Sequence, residues 1–250
     1  MVLAPSLQSS ILTCAKYAYR PNRLGYCGPD QNRELLQYIE SGLPSEALAK
    51  DGGLIENLEK FETLFPYLRH IAHTNKEKNL FDEKIVRAYW VGNSFLERSG
   101  GAKLFYHLTD DLKLKKKLPK KAIEELSGKI PRRANAHHSF HVFNIWKRTG
   151  HTENPHTLYT MDECRIGWGK VQNISKEIAE VLYRPLVFKE GQLAFGEITS
   201  KKIFCEFGEA CLGDWISFHW SSFCEVLGEN EIAQLKYWTK LNLDLANYER

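Results

Sequence analysis

Two short stretches hold residue types that can do chemistry together. Glu163 to Val171, Glu-Cys-Arg-Ile-Gly-Trp-Gly-Lys-Val, carries Cys164, and Leu212 to Trp220, Leu-Gly-Asp-Trp-Ile-Ser-Phe-His-Trp, places His219 after a Gly213-Asp214 turn. Thiolate and imidazole are the side chains that most often ligate borderline transition metals. Both would sit on strands of one small sheet if the two stretches pair. A plainer reading makes Cys164 a half-buried thiol and His219 a hydrogen-bonded core histidine, since cysteine is among the most buried residue types.

Three further residues are candidates. Cys27 lies in Pro21-Asn-Arg-Leu-Gly-Tyr-Cys-Gly-Pro29, a glycine-shaped loop before a helix start, where a helix dipole would acidify the thiol; alternatively it packs under the turn. His137 and His141 belong to Ala136-His-His-Ser-Phe-His-Val-Phe-Asn-Ile-Trp146. A spacing of four puts them on one face of a helix or of a strand, and His138 joins them only on a helix. Val142, Phe143, Ile145 and Trp146 give the tail the β-branched and aromatic content of a buried strand. No glutamate stands between the histidines, so the zinc-protease pattern is absent. Hydrogen-bonded histidines at a domain junction are the structural alternative.

These residues must be positioned by elements that the periodicity outlines. From Leu7 to about Leu126 the apolar spacing is helical: Ile11, Leu12, Ala15 and Ala18; Leu35, Leu36 and Ile39 after the N-cap residue Asp30; a long stripe from Leu54 to Leu68; and Ile85, Tyr89 and Phe95 after Asp82. Gly42 to Pro44, Gly52-Gly53 and Gly100-Gly101 punctuate them. Gly150 to Thr160 is polar and reads as a linker. Beyond it the period shortens, with about five strands expected from Ile166–Lys170, Glu180–Phe188, Gln192–Phe195, Lys202–Phe207 and Trp215–Phe218. Helical spacing returns from Glu231 to Tyr248. The expected fold is α+β: a helical domain over 1–150, then a small OB-like β-barrel with a C-terminal helix over 151–250.

Composition narrows the function classes. A 250-residue chain with 43% hydrophobic and 26% charged residues has material for a proper core. With 34 basic and 31 acidic residues, net +3, it lacks the bulk charge of a nucleic-acid binder. The lysine run from Lys113 to Lys121 has no interleaved aromatics on which bases could stack. No apolar run approaches the ~20 residues of a membrane span. Met1 to Arg20 lacks the basic start and unbroken apolar run of an export signal, so the expected compartment is the cytoplasm, where the six cysteines would be reduced, metal-binding or redox-active.

The C-terminal third resembles the small β-barrel chaperones of nickel-iron hydrogenase assembly. It shares a cysteine followed by a Gly-Lys-Val strand (Cys164, Gly169, Lys170, Val171), a Gly-Asp turn leading to a strand histidine (Gly213, Asp214, His219), and a closing helix. The resemblance implies that Cys164 and His219 carry an iron species in complex with a maturation partner or a hydrogenase subunit. It departs from that family in having its cysteine internal and in carrying Arg165, Ile166 and Trp168. The full chain is also similar to an uncharacterised prokaryotic family of the same length, which implies no chemistry. Two other readings stand beside the iron carrier: a metalloenzyme centred on His137, His141 and Cys27, and a metal-free protein-docking module.

Overall fold

The computed structural model describes residues 5–29, 32–41, 52–145 and 157–248. Helices α1 (Pro5–Arg23), α2 (Asn32–Ser41), α3 (Gly53–Glu59), α4 (Leu64–Asn75), α5 (Glu83–Trp90), α6 (Gly101–Tyr106), α7 (Leu114–Lys117), α8 (Lys120–Lys129), α9 (His138–Asn144) and α10 (Leu158–Cys164) precede the sheet. The stripe of Ile11, Cys14, Ala15 and Ala18 turns α1 into the core. The Asp82 carboxylate accepts the Lys84 N–H at 2.9 Å and so starts α5, as its residue type requires. Two expected helices are divided: the Leu54–Leu68 stripe falls on α3 and α4, and Phe95 lies beyond α5 in a 3-10 turn, Ser94–Arg98. Asp30 and Gly42 to Pro44 lie outside the described residues.

The sheet elements are β1 (Gly167–Ser175), β2 (Ile178–Tyr183), β3 (Leu186–Lys189), β4 (Gln192–Phe195), β5 (Thr199–Phe204), β6 (Trp215–His219) and β7 (Ser222–Val226), followed by helix α11 (Glu229–Ala246). Five of them close a barrel in the order β1-β2-β5-β7-β6, with β5 and β7 the parallel pair. This is an OB-like Greek-key order, and the α+β expectation holds. β3 and β4 form a separate hairpin. The stretch expected as one strand from Glu180 to Phe188 is therefore two, divided at Arg184-Pro185, where proline withholds a ladder donor.

Two further expectations are corrected. The tail of the histidine cluster is helical, because α9 runs through Val142, Phe143 and Asn144 to a cap at Ile145; Trp146 is outside the described residues. Its Val142 and Phe143 pack against Met161, Leu186 and Leu243, so tertiary burial overrides their strand propensity. The polar linker also contains a helix start. Thr157 accepts the Thr160 N–H at 3.2 Å while Thr160 accepts the Thr157 N–H at 2.8 Å, and this reciprocal cap launches α10.

The largest apolar core is continuous from the helices into the barrel's edge, joining Tyr67, Tyr89 and Phe140 to Ile166, Leu227 and Trp238. A second core, with Val171, Val181, Ile203, Ile216 and Phe218, fills the barrel. The junction between them is where the candidate residues meet.

Candidate metal centre

Cys164 is the last residue of α10 and not a strand residue; Arg165 turns extended (φ −65°, ψ 149°) and leads into β1. His219 ends β6. Backbone hydrogen bonding brings the two together: the Trp220 N–H donates to the carbonyl of Glu163 at 2.9 Å, and the Ser221 hydroxyl donates to the Glu163 carboxylate at 2.8 Å. The β6–β7 turn makes this contact with both Trp220 (φ 52°) and Ser221 (φ 57°) in the left-handed region, which non-glycine residues rarely occupy. Strain of this kind marks places that the surrounding structure over-determines.

A third residue completes the cluster. His138, the first residue of α9, joins Cys164 and His219 with one ligand atom from each, all within 4.8 Å of one another. Three ligands sharing one ion at about 2.3 Å stand about 4 Å apart, so the cluster would have to contract, and His138 would have to give up its hydrogen bond to the Tyr89 hydroxyl or to the Cys164 carbonyl to join it. Helical spacing over His138–Asn144 is the signal that selects His138, since residues three apart on a helix share a face, and His138 and His141 both line the same cavity.

That cavity is narrow, with about 60 Å³ open to the centres of water molecules, enough for a few waters. Cys27, His141, Cys164 and His219 all line it, together with His138. The Tyr26 and Trp220 rings stack across part of its wall, 4.0 Å apart at 18°. His137 is placed elsewhere: it is fully buried, and its Nδ1 accepts the Ser139 N–H at 3.2 Å as the cap of α9. His141 Nδ1 stands 3.3 Å from the Tyr67 hydroxyl.

The two central imidazoles differ in how they are held. His138 Nε2–H donates to the carbonyl of Cys164 at 2.8 Å, which leaves Nδ1 to accept the Tyr89 hydroxyl at 3.0 Å. His219 Nδ1–H donates to the carbonyl of Tyr17 at 2.6 Å, whereas its Nε2 is buried with no hydrogen bond of acceptable geometry, even with the Cys164 carbonyl beside it. Burial pushes the His219 pKa down to about 4, and burial reinforced by His219 pushes that of His138 well below the usual histidine range. Both rings are therefore neutral at pH 7, the form that offers a lone pair to a metal. The nitrogen–sulfur donor set suits zinc, copper, iron and nickel. An imidazole held through Nδ1–H by a backbone carbonyl, with Nε2 left over, is the arrangement metal-ligating histidines use. The residues present thus fit a borderline metal.

The glycines of the two motifs have structural reasons. A Cβ on Gly169 would stand 2.8 Å from the backbone oxygen of Leu182, so β1 and β2 approach only with glycine there. Gly213 has φ 88° in the turn before β6.

Among the described residues no helix is long and apolar enough to cross a membrane. No curated protein and no solved structure matches the chain. Its sequence, over residues 8–250, places it in a family of unknown function (DUF6390), to which the chain belongs.

Proposed function

We propose that this protein is an accessory factor of nickel-iron hydrogenase assembly that holds an iron species between Cys164 and His219 and hands it to a maturation partner or hydrogenase subunit. The observation that carries the reading is the convergence of ligand atoms from Cys164, His138 and His219 to within 4.8 Å of one another, with the His219 ring buried and its Nδ1 already held by the Tyr17 carbonyl. A thiolate with a neutral imidazole is a donor pair that low-valent iron accepts. The C-terminal motif of Cys164, Gly169-Lys170-Val171, Gly213-Asp214 and His219 supports hydrogenase assembly as the setting. His138 holds the Cys164 carbonyl and is a second imidazole within reach.

The test is anaerobic co-purification with the hydrogenase maturation proteins followed by iron analysis. Stoichiometric iron that falls to background in Cys164→Ala supports the carrier; wild-type protein that retains no iron under these conditions refutes it. A second reading, a metalloenzyme, draws on Cys27 and His141 lining the same cavity. Under it, Cys27→Ala and His141→Ala abolish metal uptake and Cys164→Ala leaves it intact. A metal-free docking module predicts background metal in every variant, with partner capture weakened.

A further inference from the structure

We propose that Pro21 is a positioning residue for this centre: by withholding an N–H from the carbonyl of Tyr17, it reserves that carbonyl for His219 and so fixes the imidazole with Nε2 turned to the site. The inference rests on the reading of Cys164 and His219 as a ligand pair and adds the device that prepares one of them.

In an α-helix each carbonyl accepts the N–H four residues later. Tyr17 and Pro21 stand in that relation inside α1, which runs on to Arg23. Proline has no N–H, and its ring crowds the carbonyl four residues before it. The helix does not end at the proline, since the Leu24 N–H still donates to the Arg20 carbonyl at 3.1 Å. Tyr17 is fully buried, so its carbonyl has no ready access to bulk water. A buried carbonyl without a partner is rare in folded proteins. The donor that meets it is His219 Nδ1, at 2.6 Å.

The consequence is chemical. A carbonyl only accepts, so Nδ1 must carry the hydrogen, and in the neutral ring the lone pair then lies on Nε2. Pro21 itself lines the cavity beside His219. A proline inside a helix disfavours the helix, and here the same substitution that relieves the helix would release the ligand. The two effects have opposite signs, which separates a positioning role from a structural one.

The experiment uses the full chain labelled with 15N-histidine, and cobalt(II) as the metal probe. In metal-free wild type, His219 is expected as the Nδ1-protonated tautomer. In Pro21→Ala the new N–H takes one of the two lone pairs of the Tyr17 carbonyl and weakens its hold on His219, so the Nε2-protonated form, for which the Cys164 carbonyl is the acceptor at hand, grows, cobalt(II) affinity falls about tenfold or more, and Tm stays level or rises. Tyr17→Phe keeps the carbonyl while losing the hydroxyl contacts to Ser217 and Glu225, and the tautomer is expected unchanged. An unaltered tautomer in Pro21→Ala, or unaltered cobalt(II) affinity despite an altered tautomer, overturns the proposal. Should Pro21→Ala fail to fold, the wild-type spectrum decides: an Nε2-protonated His219 overturns it, and the Nδ1 form with its proton shielded from exchange supports it. A wild-type chain that takes no cobalt(II) while its tautomer answers to Pro21→Ala defeats the metal reading and leaves the helix device standing.

Discussion

Among the described residues, two places bring a pair of buried imidazole rings together, His70 with His107 and His138 with His219, and they make a controlled comparison. In the helical half, His70 and His107 stack 4.6 Å apart at 23°; at the junction, His138 and His219 stand 5.2 Å apart. Each pair anchors on oxygen acceptors: His70 Nε2–H donates to the Ser99 carbonyl at 2.8 Å, and His107 Nδ1–H to the Asp111 carboxylate at 2.8 Å. Burial lowers the pKa in both places, and each pair even leaves one buried Nε2 without a hydrogen bond, in His107 and in His219. What differs is the company. Only the junction pair, among the described residues, has a thiol within ligand distance, and it borders a cavity. A lone pair on a buried histidine is thus no site by itself; convergence of donors onto a reachable space makes one.

The comparison breaks most readily on metal content. Under the proposed reading, His219→Gln is expected to abolish uptake of iron or cobalt(II), and His107→Gln to leave it at the wild-type level, read by metal analysis after anaerobic loading. Equal losses in both would mean that the two pairs are not functionally distinct.

The next largest effect is acid lability of the helical pair. His107 titrates near 6.5 when unfolded and is held at about 4 in the fold, chiefly by burial. Between those values the unfolded chain binds the extra proton, so the stability contribution is fully present above pH 6.5 and lost as the pH falls toward 4. For His107 it amounts to about 3 kcal/mol across the window. Because burial lowers His219 and His138 as well, chemical denaturation of wild type and His107→Gln at pH 7, 5.5 and 4.5 measures it as the difference between the two, and identical pH profiles would show that His107 is not shielded as its burial implies.

A smaller effect separates the scaffolds. Gly169→Ala presses a methyl group on the backbone between β1 and β2, at a cost of about 1–3 kcal/mol, typical of overpacking. Because His219 hangs on the barrel and His107 on helices, the substitution should weaken cobalt(II) binding while leaving the His107 titration, followed by NMR, where it was.

Much of the scaffold is legible from residue types. Asp82 caps its helix, the Ile11 to Ala18 stripe faces the core, and the barrel and closing helix follow the change in period. Cys164 and His219 were legible as a pair through the two motifs, although Cys164 stands at a helix end. The stretch from Ala136 to Trp146 misleads because Val142, Phe143 and Ile145 are strand-prone by type, while packing against α10, α11 and the β3–β4 hairpin selects the helix. That one choice of period moves His137 into a capping role and brings His138 to the cluster. Sequence spacing does not register it, since both periods fit His137 and His141.

By itself the sequence determined which side chains were available and which segments could bury a face, because periodicity, caps and glycine-proline punctuation act over a few residues. The tertiary structure alone decided which imidazoles stand beside the Cys164 thiol and through which nitrogen each is anchored. That outcome depends on the carbonyl of Tyr17 meeting a ring 202 positions along the chain, a contact set by how α1 packs on β6 and written in no local spacing.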